Sequence, residues 1–146
     1  MINQLKIFEV ESFGESGISS TWVNRLKEKP CKDLEMNIPE EFDGPGGTYS
    51  PEDLYALSLM NCYLATFKYI AEKSRLLFKT IRGEAKLIVG KGDQKMLWME
   101  KISINIILSG CDNCDRALSL MEKTKSQCMI INSVKTKVEF TFNANP

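Results

Sequence analysis

Apolar and polar side chains alternate through LKIFEVES, residues 5–12, the period-two pattern of a strand. FGESG then predicts a turn, and ISSTWVNRLKE, residues 18–28, the returning strand of a hairpin. The alternation resumes at Leu34, Met36 and Ile38 within KDLEMNIP, residues 32–39. EEFDGPGGTYSPED is a Gly- and Pro-rich loop whose end carries the start signals of a helix. Ser50 suits the N-cap and Pro51 the first helical position, and Glu52 and Asp53 favour the positive end of the helix dipole. The period then changes to helical over 51–74, with Leu54, Leu57, Met60 or Asn61, Leu64, Phe67 and Ile70 or Ala71 as the stripe. Tyr55, Leu59 and Tyr63 widen it, which predicts a helix covered on most sides. Strands are expected over 78–90 and 99–110, joined through KGDQK, followed by a weaker helix over 113–128 and a closing strand over 133–142. The order ββ(β)αββαβ is that of an α+β domain, two helices packed on a mainly antiparallel sheet.

Composition narrows the functions open to such a domain. The 146 residues suffice for one domain, 1–146, with a real core. With 19 basic and 19 acidic side chains the net charge is zero, which gives no electrostatic reason to expect nucleic acid or an anionic membrane as partner. The first residues, MINQLKIFEVESFGE, lack the layout of a signal peptide, and no apolar run approaches the ~20 residues of a membrane span. A cytoplasmic protein is expected, its five cysteines mostly reduced thiols. Histidine is absent altogether. Ser–His and Cys–His nucleophile pairs are thereby excluded, and neither a metal nor another cofactor is expected.

The cysteines are then the candidate chemistry. Cys62 sits mid-helix, where the helix dipole does not reach, so a reactive thiolate there needs a positive neighbour from another element. Otherwise it is a small apolar residue of a core helix. Glu52 is either a helix-start acid or part of a site. Ten helical residues rise ~15 Å, so Glu52 and Cys62 of one straight helix cannot touch a single guanidinium, a modest argument for a dimeric site. Cys128 ends the second helix, and its spacing alone leaves core packing open. Cys111 and Cys114, in CDNCD, form a Cys-x-x-Cys at a strand-to-helix junction. Zinc would want four ligands there; a redox dithiol is the alternative to a loop and cap, although Asp112 and Asp115 oppose a thiolate. Cys31 has no evident partner. Phe42, Tyr49, Tyr63, Phe67 and Trp98 are either core or the lining of an apolar pocket.

The stretches DGPGGTYSPEDLYALSLMNCYLATF and RALSLMEKTKSQCMIINSVKTKVEF carry a resemblance to the osmotically induced protein C and organic hydroperoxide resistance superfamily, OsmC/Ohr-like. The Gly-rich loop, the Pro-Glu-x-Leu helix start and the cysteine ten residues after that glutamate match in the first. A helix leading to a second cysteine and a closing strand match in the second, with Met129 where a proline commonly follows that cysteine. The resemblance implies an OsmC-like fold in an intertwined homodimer. It also implies a thiol-dependent peroxidase for small apolar organic hydroperoxides, acting in oxidative or osmotic stress and regenerated by a dithiol reductant. By position, Cys62 is the expected peroxidatic residue, Cys128 the resolving one and Glu52 the orienting carboxylate. Peroxidase members place an arginine in or beside the first hairpin turn; FGESGISS contains none, and Arg25, the nearest, is the candidate catalytic cation. A non-catalytic member binding a small apolar ligand at the dimer interface is therefore the alternative, and a dithiol reductase built on Cys111 and Cys114 a third reading.

Overall fold

A computed structural model describes residues 5–93 and 95–146. By contact density the chain forms two compact units, residues 1–54 and 55–146.

The first unit holds an antiparallel sheet of β1 (Val10–Gly14), β2 (Trp22–Leu26) and β3 (Leu34–Met36), in that order. All three predicted strands exist and all are shorter than expected. Leu5 to Glu9 alternate like a strand, yet the β1–β2 ladder ends at Val10↔Leu26. Alternation alone does not make a strand without a partner. After β3 the Gly-rich loop is organised by buried Asn37. Its amide donates to the Gly46 carbonyl (2.7 Å), and its oxygen accepts from the Thr21 hydroxyl (2.7 Å). A side chain at Gly44 would run into the Ile38 carbonyl, so this turn requires glycine.

Helix α1 (Pro51–Lys73) starts where Ser50 and Pro51 predict. The Ser50 hydroxyl accepts from the Asp53 N–H (3.1 Å) while the Asp53 carboxylate accepts from the Ser50 N–H (2.9 Å), a reciprocal cap of the capping-box kind. Its buried line is Leu59, Tyr63, Phe67 and Ala71, four residues apart. Phe67 and Ala71 of the expected stripe are thus buried, while its Leu54, Leu57 and Leu64 are only half-buried. Aromatics hold the centre beside Leu59, because Tyr63 stacks on Phe142 and lies tilted against Phe140, and Phe67 packs on Phe78.

In the second unit β4 (Thr80–Gly90) and β5 (Trp98–Ser109) form a long antiparallel hairpin. Helix α2 (Cys114–Thr124) follows, ends in a 3₁₀ turn, Lys125–Gln127, and leads to β6 (Lys137–Ala144). β6 pairs with β5 in parallel, the one parallel pairing among the described strands. Every second residue of β5, Ile102, Ile104, Ile106 and Leu108, points into the core with Ala117 and Met121 of α2. The architecture is α+β, two helices with two mostly antiparallel sheets, as the pattern predicts.

Candidate active site

Cys62 occupies the flank of α1 beside the buried Tyr63 and is half-buried. One turn on, the Thr66 hydroxyl donates to the Cys62 carbonyl (2.7 Å).

The segment around Cys128 is brought to this flank by a short chain of polar ties. Buried Tyr63 donates its hydroxyl to the Met121 carbonyl (2.8 Å), anchoring the last turn of α2 on α1. Thr124, fully buried, bonds back to the Leu120 carbonyl (2.7 Å) and closes the helix. The chain leaves the 3₁₀ turn at Cys128 in extended conformation (φ −82°, ψ 101°). It is then stapled by Asn132, whose N–H donates to the Cys128 carbonyl (2.9 Å) and whose amide donates to the Ser126 carbonyl (2.9 Å).

The result sets two thiols side by side. Cys128 is fully buried and its S–H donates to the Thr124 carbonyl (3.4 Å). Its pKa is pushed from 9.0 up to about 11, first by burial and then by the neighbouring Cys62, with the Thr66 hydroxyl acting against both. The Cys62 sulfur accepts the Ile130 backbone N–H (3.4 Å). Both thiols are free. Of the residues singled out from sequence, Cys62 and Cys128 are thus assembled. Ile130 escaped sequence reading because a backbone N–H carries no residue-type signal.

The other candidates have surroundings of their own. Glu52, in the first unit, has one carboxylate oxygen buried and without a hydrogen-bond donor among the described residues. Arg25 stands on β2, half-exposed, paired with Asp33 (3.1 Å) and facing Glu11 (4.0 Å). Cys111 is buried at the entry to α2 with Cys114 beside it. Burial and then that neighbour raise its pKa, as does Asp112, and a hydrogen bond from the Asn145 backbone counters them only in part. No group of three His, Cys, Asp or Glu able to hold a metal occurs among the described residues. The aromatic set does not form one pocket, since Tyr63 and Phe67 are fully buried core while Trp98 lines a separate cavity with Met96, Leu97 and Lys135.

The family description of OsmC-like proteins matches residues 44–143, which span the Gly-rich loop, α1, the β4–β5 hairpin, α2 and most of β6. This chain belongs to the OsmC-like proteins. It is 28% identical over 115 residues to the uncharacterized protein YmaD of Bacillus subtilis, covering 75% of this chain and 76% of the relative. Its fold is similar to that of an OsmC-like protein of unknown function from Vibrio cholerae, with a TM-score of 0.80, 17% identity, and 94% and 99% of the two chains covered. It is also similar to an organic hydroperoxide resistance protein OsmC from Legionella pneumophila, with a TM-score of 0.72, 15% identity, and 97% and 100% covered. As an OsmC-like chain it shares its fold with proteins named for organic hydroperoxide resistance.

Proposed function

We propose that this OsmC-like protein is a thiol-dependent peroxidase for small apolar organic hydroperoxides. The observation that carries the reading is the adjacency of Cys62 and Cys128, two free thiols from separate elements, one accessible and one buried. In the first step the Cys62 thiolate attacks the hydroperoxide. An S–O bond forms and the O–O bond breaks. Sulfur is oxidised by two electrons, and the alkoxide leaves with a proton as the alcohol. The Cys128 thiol then attacks the sulfenic sulfur, forming the disulfide and releasing water. An external dithiol then breaks the Cys62–Cys128 bond by thiol–disulfide exchange, becomes a disulfide itself, and restores both thiols. Such a cycle belongs in the cytoplasm, where thiol reductants are maintained.

The working unit of this reading is a homodimer. Helix geometry keeps Glu52 and Cys62 of one chain ~15 Å apart along the axis, so a site using both draws one from a second copy. The buried, donorless oxygen of Glu52 and the exposed Ile7, Phe8, Val10 and Phe13 of the first unit support a partner.

The test is intact mass after one equivalent of cumene hydroperoxide, followed by peptide mapping. A loss of two hydrogens mapped to a Cys62–Cys128 bridge, together with consumption of the hydroperoxide, is expected. Unchanged thiols would overturn the reading. They would favour instead a non-catalytic OsmC-like protein binding a small apolar ligand at the dimer interface. The engagement of Arg25 by Asp33 and Glu11 on the hairpin surface speaks for that second reading.

A further inference from the structure

We propose that the backbone N–H of Ile130 is the donor that holds the Cys62 sulfur while it carries negative charge, so that the loop bearing the second cysteine also activates the first. The inference rests on the peroxidase reading for its purpose, but not for its test.

A thiolate at mid-helix has no help from its own helix. The N–H groups of that turn are spent in i→i−4 bonds, and the dipole acts only at the ends. The side-chain donors nearby are also committed. Thr66 donates to the Cys62 carbonyl, Asn61 to the Leu57 carbonyl (2.8 Å), and the Cys128 thiol to the Thr124 carbonyl. Arg25 is occupied on the first unit by Asp33 and Glu11. Among the described residues the donor recorded on the Cys62 sulfur is Ile130 N–H, at 3.4 Å.

The segment presenting that N–H is held from both sides. Asn132 N–H is bonded to the Cys128 carbonyl, Ser133 N–H to the Ile130 carbonyl (3.0 Å), and the Ser133 hydroxyl to the Met129 carbonyl (2.8 Å). Ile130 itself has helical backbone angles (φ −66°, ψ −44°), the first residue before a 3₁₀ turn. Its N–H therefore has no backbone acceptor behind it and points at sulfur. A hydrogen bond from a neutral donor to a charged acceptor is about twice as strong as one between neutral groups, so the contact favours the thiolate over the thiol. The donor comes from the segment that follows the resolving cysteine. A displacement that carried Cys128 away from Cys62 would therefore also remove the activating N–H.

The variant Ile130→Pro deletes this N–H at a residue whose φ already suits proline. Met129→Pro is its control. It deletes the adjacent N–H, follows an extended Cys128 that tolerates a succeeding proline, and leaves Ile130 N–H in place. The readout is the rate of iodoacetamide alkylation of Cys62 at neutral pH, followed by mass of the Cys62 peptide. A loss of one charge-assisted hydrogen bond predicts alkylation about tenfold slower in Ile130→Pro, with Met129→Pro within about twofold of the parent. Equal rates in all three would overturn the proposal. Should Ile130→Pro not fold, amide hydrogen exchange decides. The Ile130 N–H is expected to exchange about tenfold faster in Cys62→Ala than in the parent, and unchanged exchange would overturn the proposal as well. Hydroperoxide consumption is measured separately. Slowed alkylation in a protein that consumes no hydroperoxide would leave the donor standing and remove the peroxidase reading.

Discussion

At the scale of single residues, Cys128 makes the pH dependence of this protein specific. Its folded pKa, up at about 11, lies above the ordinary 9.0 because burial and Cys62 both oppose a second negative charge. The neutral thiol therefore stabilises the fold fully below about pH 9, and that contribution is lost as pH rises through about 11. Tyr63 has the same sign, raised first by burial and then by Cys128 and Glu122. The urea midpoint of the parent is expected to fall across this window, and that of Cys128→Ala to fall less, the remainder belonging to Tyr63. Parallel curves would mean that Cys128 titrates alike folded and unfolded. The same proton slows resolution. If Cys128 attacks as a thiolate, formation of the bridge after oxidation should quicken about tenfold per pH unit from pH 7 toward 9, read by quenched mass spectrometry. Spacing alone could not foresee any of this. Cys128 stands 66 positions after Cys62, and only Tyr63, Thr124 and Asn132 acting together bring the sulfurs near each other.

At the scale of elements, the junction of α1 with α2 is where one hydroxyl has the greatest leverage. Tyr63→Phe keeps the aromatic packing on Phe140 and Phe142 but leaves the Met121 carbonyl buried without its donor. A cost of about 1–3 kcal/mol in unfolding free energy is expected, measured by urea denaturation. A change below about 0.5 kcal/mol would show that water or another donor takes over. Local signals made most elements legible. Ser50 and Pro51 mark the start of α1 to the residue, and the alternation of Ile102, Ile104, Ile106 and Leu108 marks β5 and its inward face. The centre of the α1 face was less legible. The spacing includes Phe67 and Ala71 and sets Leu59 and Tyr63 at its margin, whereas all four form the buried line and Leu54, Leu57 and Leu64 its half-buried flank, because the partners Phe78, Phe140 and Phe142 lie far along the chain. The extent of β1 was hidden for a related reason, since a strand ends where its partner ends and not where its own alternation does.

At the scale of the whole molecule, the apolar side chains left open on the first unit set an expectation for assembly. Ile7, Phe8, Val10 and Phe13 are each more than 70% exposed, and a second copy is the occupant the proposed cycle requires. Sedimentation equilibrium is expected to return twice the 16.6 kDa chain mass, and Phe8→Asp with Phe13→Asp to shift it toward the monomer. A parent protein that sediments as a monomer would remove the dimeric site. Among the described residues no helix is long and apolar enough to cross a membrane.

The parallel pairing of β6 with β5 has a consequence for how the chain matures. A parallel neighbour cannot be reached by a tight turn, so α2 must be laid down as a crossover before β6 can dock. Cys128 lies on that return path, and a chain still being synthesised therefore keeps Cys62 from Cys128 until the segment through Asn132 has been made and α2 is tied to α1 by Tyr63. During that interval the nearer pair, Cys111 and Cys114, closes the shorter loop and is entropically the more readily bridged. The order of assembly thus acts as a timer, in which a Cys62–Cys128 bridge must wait for α2 and the segment that follows it. Its appearance on newly made protein would report the docking of that segment on α1 as well as the arrival of an oxidant.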